Sequence, residues 1–177
     1  MLRTAIPLAL AALALAAAVP PPYPSQPIPP RPEDVSSIDG MMLAFYEVVS
    51  GPAGTPRQWA RDLTLYIPGV RFAQTHRLAD GGVSTKVWDH RQFAKDTDAF
   101  AFKDGFFEKE IHRTTWQWGG IAHVLSTYES RRSSDGPVTD RGVNSIELFW
   151  DGKRWWIASA IWQPEQPGLP IPRDLLP

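Results

Sequence analysis

The chain has 177 residues, no cysteine and a formal net charge of −1 at pH 7. This length indicates one domain of ordinary size. Without cysteine, neither a disulfide nor thiolate chemistry is possible. Because the charges nearly cancel, the composition offers no general basic surface of the kind that binds nucleic acid.

The first 18 residues have the pattern of an export signal. Arg3 precedes an apolar run, and Ala16 and Ala18 form the small-x-small pattern that a signal peptidase reads. The run is roughly 15 residues long, which is short for a membrane span of about 20. We expect residues 1–18 to be a signal peptide, no stable membrane span after its cleavage, and a secreted or periplasmic protein. An uncleaved anchor is the alternative.

Proline-rich segments flank the expected domain. Residues 19–34 contain so many prolines that we expect an extended, exposed linker, because proline fixes φ and removes a backbone donor. Residues 165–177 are proline-rich again and are expected to lie over the surface as a tail. The folded domain is therefore predicted to span residues 35–164.

Three helices are predicted ahead of the longest strands. Apolar residues spaced three and four apart indicate a first helix at about residues 37–49, opened by Ser36. Thr55 and Pro56 begin a short second helix that reaches about Leu63. A third helix follows a strand hairpin, beginning at Asp89 and stopping at the Lys-Asp-Gly sequence 103–105.

Four long strands are predicted between residues 106 and 163. The runs are rich in Val, Ile, Thr, Tyr, Phe and Trp, which fit a pleated sheet. Gly119-Gly120 and Asp151-Gly152 are short hairpin signals. Helices at one end of a mostly antiparallel sheet define the α+β class. A strongly curved sheet closed on one side by helices leaves a cavity, the usual place for a small molecule.

Three stretches carry a resemblance to a known family: SSIDGMMLAFYEVVSGPAGTPRQWARDL, WGGIAHVLSTYESR and RGVNSIELFWDGKRWWIASAIWQPE. They resemble the nuclear transport factor two-like superfamily, more narrowly its SnoaL-like (polyketide-cyclase-like) branch, over about residues 35–164. The resemblance implies a cone-shaped, barrel-like fold and a homodimer packed through the sheets. The superfamily includes isomerases, dehydratases, epoxide hydrolases, cyclases and non-enzymatic binding domains, so the fold alone does not deliver a function.

The resemblance also suggests places for catalytic groups. Tyr46 could stand where ketosteroid-isomerase-like members carry a cavity tyrosine on the first helix. The first strand, VRFAQTH, has no aspartate at the matching place. Scytalone-dehydratase-like members use two histidines, and His112 and His123 make that pattern the nearest match, although its surrounding motif is absent.

A two-residue turn at Gly119-Gly120 fixes which side chains share a face of the first long hairpin. Cross-strand partners lie on the same face, and side chains alternate with period two. One face is therefore predicted to carry two histidines and their neighbours: Glu110, His112, Thr114, Trp116, His123, Thr127 and Glu129.

If that face is concave, His123 and His112 project into the cavity as proton donors or acceptors, with Asp62 as a third catalytic candidate. The ligand-binding candidates on the same hypothesis are Tyr46, Trp59, Trp116 and Thr127. The sequence leaves open which face of the hairpin is concave.

Structural alternatives stand beside these assignments. No acid–base partner is fixed by spacing, which favours both histidines being polar sheet residues on a rim or at a dimer face. For Asp62, a role as a cap or as an ion-pair partner of Arg57 or Arg61 is favoured over a catalytic one, since surface ion pairs are common. The spacing of His and Glu matches no metal motif, and we expect no metal and no cofactor.

Three functions follow as hypotheses. The first is an exported domain that binds a small, largely apolar molecule in its cone. The second is an isomerase, dehydratase or cyclase that uses a cavity His or Asp. The third is a non-enzymatic dimeric interaction module. The clustered tryptophans near the last hairpin favour a partner surface in each case.

Overall fold

The computed structural model of the protein describes residues 22–26 and 28–177. The expected signal peptide and the start of the expected linker lie outside the described residues. Within these residues there are six strands: β1 (Tyr66–Arg77), β2 (Val83–Asp89), β3 (Phe107–Trp118), β4 (Ile121–Arg131), β5 (Asp140–Trp150) and β6 (Trp155–Pro164). They make one curved, unclosed sheet in the order β2-β1-β6-β5-β4-β3.

The sheet is antiparallel except between β1 and β6, which run parallel. Together with the helices at one side, this confirms the predicted α+β class with a strongly curved, mostly antiparallel sheet. The predicted turn at Gly119-Gly120 is also confirmed, because Trp118 pairs with Ile121 across it.

The described part of the chain has four α-helices: α1 (Pro32–Val35), which packs on α2, then α2 (Ile38–Val49), α3 (Trp59–Asp62) and α4 (His90–Asp104). Side-chain caps fix the two long ones. Ser37 accepts a hydrogen bond from the Gly40 amide at 3.0 Å, so it replaces Ser36 as the cap of α2. Asp89 accepts one from the Gln92 amide at 2.8 Å and begins α4 as predicted.

Helix α3 is shorter than the predicted stretch. It begins only at Trp59, with Gln58 in the capping position, and a 3₁₀ turn at Leu63–Leu65 follows it. Thr55 therefore does not cap this helix. Its backbone carbonyl accepts a hydrogen bond from Arg57 at 3.2 Å instead, which holds the preceding loop in place.

The packed part of the chain starts before the predicted boundary at residue 35. Asp34, 2% exposed, receives two hydrogen bonds of 2.7 Å from the Arg61 guanidinium. Further upstream, the Tyr23 hydroxyl lies 2.9 Å from His90 Nδ1, and the Arg91 guanidinium covers the Tyr23 ring. Described parts of the expected linker are therefore anchored on the domain.

The face of the sheet that meets the helices is the one without the histidines. On β4 its residues are buried: Ala122, Val124, Ser126 and Tyr128. The predicted pairs His112–Thr127 and Trp116–His123 both form, but they lie on the opposite, outer face. The sequence left the choice of concave face open, and the structure decides it against the histidines.

A bulge in β3 changes the face of the residues that precede it. Pairing shifts between Glu110 and His112, so Glu110 lies opposite Tyr128 and Lys109 opposite Glu129. One extra residue in a strand inverts its alternation. The prediction that Glu110 shares a face with His112 is therefore wrong.

The C-terminal tail covers part of the outer face. Ile171 is 8% exposed, and the Thr127 hydroxyl donates a hydrogen bond of 2.6 Å to the Leu175 carbonyl. Among the described residues, no helix is both long and apolar enough to span a bilayer.

Candidate functional site

A cavity of about 360 Å³ lies between the inner face of the sheet and helices α2, α3 and α4. Its wall is dominated by aromatic rings. They are Phe45, Trp59, Tyr66, Phe72, Trp88, Phe93, Phe100, Phe106, Tyr128 and Trp162. Such a volume and lining are typical of small-molecule sites.

Polar groups enter the cavity wall along cross-strand rows of the sheet. The first row crosses three strands, with Glu108 on β3, Ser130 on β4 and Asp140 on β5. All three line the cavity. A second row contributes Asn144 from β5. The strands therefore contribute a polar band to a wall that is mostly aromatic.

Glu108 is the cavity carboxylate whose pKa is shifted from its ordinary value. Burial, with the charge of Asp140 as a second cause, raises the pKa of its carboxyl to about 8. No ion pair or side-chain hydrogen bond engages this carboxyl in the described part of the chain. The Glu108 amide donates to Ser50 Oγ at 3.0 Å, so the end of α2 fixes its position.

Tyr128 lies beside this carboxyl on the inner face. Burial, followed by the charge of Glu108, raises the pKa of its phenol well above the ordinary range, so the hydroxyl stays protonated. The neighbouring Gly142 makes room for it, because a Cβ there would lie 2.5 Å from the Tyr128 hydroxyl. Tyr128 is therefore placed as a hydrogen-bond donor.

A buried hydrogen-bond network joins the cavity to a second one. The Tyr46 hydroxyl lies 2.6 Å from Ser126 Oγ and accepts a hydrogen bond of 3.0 Å from Asn144. Ser126 in turn donates to Glu110. Asn144 lines the aromatic cavity, whereas Tyr46 and Glu110 line a neighbouring cavity of about 460 Å³ between α2 and β3.

Arg57 is a buried cation on the cavity wall. It is 4% exposed, and burial lowers the pKa of its guanidinium. Its Nη2 donates to the Ala101 carbonyl at 2.5 Å, in the last turns of α4. A cation at a helix C-terminus is favourable there, so Arg57 has a structural role.

The four residues predicted to bind a ligand do not lie at one site. Trp59 lines the aromatic cavity, and Tyr46 the second one. Trp116 lies on the outer face, 52% exposed. Thr127 lies there too, beneath the C-terminal tail.

The two histidines do not meet in a cavity. His123 stacks on Trp116 with ring centres 5.4 Å apart, and its Nε2 lies 3.0 Å from Ser145 Oγ. His112 lies opposite Thr127 on the same outer face. The face that carries both histidines is therefore not the concave one, because the inner face carries the alternate residues of each strand. Their catalytic role stays a prediction.

Asp62 is buried behind the aromatic wall. It is 0% exposed, and its Oδ2 lies 2.9 Å from His90 Nε2. His90 packs against the rings of Trp59, Tyr66 and Phe72. Asp62 thus pairs neither with Arg57 nor with Arg61, and it does not line the aromatic cavity.

Sequence reasoning missed Glu108, Tyr128 and Asp140. Glu108 stands in the run FFEKE, where a glutamate looks like an ordinary solvent-facing residue. The sequence did contain one signal. Tyr128 and Val124 are an even number of residues apart on one strand, so they lie on the same face, and an apolar Val124 is typical of the face that packs on the core. Among residues 22–26 and 28–177, no group of three metal-binding side chains converges.

The curved sheet, the covering helices and the lined cavity define the class of this protein: an α+β cone with a pocket of small-molecule size. No family model matches the chain. No curated protein matches it either.

Solved structures of similar shape are NTF2-like proteins and a dioxygenase subunit. A protein assigned as the beta subunit of an aromatic-ring-hydroxylating dioxygenase from Novosphingobium aromaticivorans is 15% identical, with 62% of this chain and 75% of that chain covered and a TM-score of 0.43. An NTF2-like protein of unknown function from Shewanella baltica is 11% identical, with 71% and 87% covered and a TM-score of 0.44.

A third similar structure is an NTF2-like protein of unknown function from Methylobacillus flagellatus. It is 12% identical, with 73% of this chain and 95% of that chain covered and a TM-score of 0.42. Similarities at this level do not by themselves assign the chain to a family.

Proposed function

We propose that this protein is an exported domain of the SnoaL-like branch of the NTF2-like superfamily that binds a small, largely apolar molecule in its aromatic cavity. The observation that carries the proposal is the cavity of about 360 Å³, whose wall is mostly aromatic and carries a few polar groups. Rings supply apolar contact, and a few polar groups supply orientation, which is the usual division in ligand sites.

Export rests on the sequence of residues 1–18 and is part of the same proposal. N-terminal sequencing of the protein secreted or released from the periplasm tests it. A new N-terminus after about Ala18 is the expected result. A chain that keeps Met1 and stays with the membrane fraction would favour the anchor instead.

A substitution on the cavity wall tests ligand binding directly. Thr97 is half-buried and lines the cavity on α4, so the indole of Thr97→Trp should occupy the space that a ligand needs. We expect at least a tenfold loss in affinity for the neutral fluorophore N-phenyl-1-naphthylamine, measured by fluorescence titration.

Lys95→Trp is the matched control, because Lys95 is exposed on the same helix and does not line the cavity. It should bind the fluorophore as the unchanged protein does. Native mass spectrometry of protein purified from its own compartment should in addition show a retained small molecule. Equal binding by both tryptophan variants would argue against this cavity as the site.

A homodimer packed through the outer face of the sheet is the second part of the proposal. Exposed apolar side chains there include Trp116, Trp118 and Ile121, with Trp118 83% exposed. A monomer rarely leaves so many large apolar groups together on one face. The C-terminal tail covers only another part of that face.

Analytical ultracentrifugation at micromolar concentration should show a dimer, and Trp118→Glu should shift it to monomer. Leu43→Glu is the control, since Leu43 is 62% exposed on α2, away from the outer face. It should leave the dimer intact. A purely monomeric unchanged protein would remove this part of the proposal.

An enzyme of the isomerase, dehydratase or cyclase kind is the alternative. It is favoured by Glu108, whose pKa of about 8 suits proton transfer near neutrality, with the Tyr128 hydroxyl as donor. The earlier candidates His123, His112 and Asp62 lie outside the aromatic cavity. If an activity is found, its pH–rate profile should follow the ionisation of Glu108. An activity that persists in Glu108→Gln would exclude this mechanism.

A further inference from the structure

The two carboxylates of the cavity differ from carboxylates on the outer face in having no cation beside them. Glu108 and Asp140 flank Ser130 on adjacent strands, and both line the cavity. Glu129, on the outer face, lies within 3.1 Å of Lys109 and within 2.5 Å of Arg131. No Lys, Arg or His comes within ion-pair distance of Glu108 or Asp140 in residues 22–26 and 28–177.

The charged groups that share the cavity with Glu108 do not neutralise it. They are Asp140 and Arg57, with the Tyr128 phenol beside them. Arg57 directs its guanidinium at the carbonyls of Thr55 and Ala101. The Glu108 side chain is half-buried, and Asp140 is exposed. A carboxylate that loses water without gaining a partner is costly, so this part of the cavity favours a positive charge.

Aromatic rings strengthen the same preference. Phe106 and Tyr128 line the cavity close to the acid row, and tryptophans line the rest of its wall. The faces of such rings attract an ammonium group, and the attraction grows when the cation is desolvated. Carboxylates and aromatic faces both bind organic cations in proteins.

We propose that the cavity binds a small organic cation, an amine carried on an apolar or aromatic body, with the ammonium between Glu108 and Asp140; this rests on the proposed small-molecule function. The body of the ligand fills the aromatic part of the cavity. A ligand that carries its own carboxylate is disfavoured, because Asp140 repels it and a protonated Glu108 offers it no positive charge.

Three indoles of matched shape test the charge preference: tryptamine, tryptophol and indole-3-acetate are cationic, neutral and anionic at pH 7. Isothermal titration should give tryptamine at least a tenfold tighter binding than tryptophol, and indole-3-acetate the weakest. Titration at pH 6.5 in two buffers of different ionisation enthalpy should show close to one proton released per tryptamine bound, because the cation ionises Glu108.

Glu108→Gln should weaken tryptamine about tenfold, leave tryptophol within about twofold and abolish the proton release. Glu147→Gln, a carboxylate 57% exposed on β5, is the control and should change none of these values. Thermal melting of each variant establishes that it is folded.

Tryptophol binding as tightly as tryptamine, or tryptamine binding unchanged in Glu108→Gln, overturns the cation proposal and leaves the small-molecule proposal standing. Failure of all three indoles and of N-phenyl-1-naphthylamine overturns both.

Discussion

At pH 9 the Glu108→Gln variant should unfold with a free energy about 3 kcal/mol larger than that of the unchanged protein, and at pH 4.5 the two should be nearly equal. The reason is the raised pKa of the Glu108 carboxyl, about 8 in the folded chain against an ordinary value of 4.5. Between these values the folded protein holds a proton that the unfolded chain releases. Stability therefore falls as the pH rises through that window, and glutamine does not titrate.

The size of the effect follows from the two pKa values. Their full difference corresponds to on the order of 5 kcal/mol, and we expect less because water reaches the cavity and relaxes around the charge. Urea unfolding at pH 4.5, 6, 7.5 and 9 measures the difference. Glu147→Gln should run parallel to the unchanged protein throughout. Parallel curves for Glu108→Gln as well would mean that its carboxyl titrates normally.

Asp34→Ala should destabilise the protein by about 3–5 kcal/mol. Asp34 accepts two 2.7 Å hydrogen bonds from Arg61, and the side chains of the pair are only 3% and 9% exposed. These bonds raise the pKa of the guanidinium, which stays charged. Removing the carboxylate leaves a buried cation without its main partner, and that cost appears as lost stability in a urea titration.

The same arginine supplies the control. Arg61 also contacts Glu47 at 3.0 Å, but the Glu47 side chain is 48% exposed. Glu47→Gln should therefore cost less than about 1 kcal/mol. If Asp34→Ala and Glu47→Gln cost the same small amount, the packed domain does not depend on residue 34, and the predicted boundary at residue 35 would stand.

Local chemistry made much of the fold predictable from the sequence. Gly119-Gly120 fixed the hairpin register down to the Trp116–His123 pair. Asp89 with Gln92 marked the start of α4, and Gly105 at a φ of 73° marked its end. In each case a short-range rule about turn or cap geometry decides the outcome, so no knowledge of the tertiary structure is needed.

The candidate site was harder to predict because both faces of the long hairpin mix apolar and polar residues. Leu125 on one face and Val124 on the other give period-two alternation no contrast to work with. The bulge between Glu110 and His112 has no signature in the residues around it. The bulge exchanges the faces of Glu110 and Lys109. Alternation counted from the hairpin turn therefore places Glu108 on the outer face, whereas in the structure it lines the cavity.

The parallel pairing of β1 with β6 determines when the sheet can form during synthesis. Phe72 of β1 pairs with Ala160 of β6, so the central rungs of the ladder join distant parts of the chain. Contacts of such large sequence separation form slowly, because a long loop must close first. During synthesis, the centre of the sheet cannot assemble until the last strand has left the ribosome. A nascent chain that stays open until then would fit the export that we propose, because a chain that crosses a translocation channel does so unfolded.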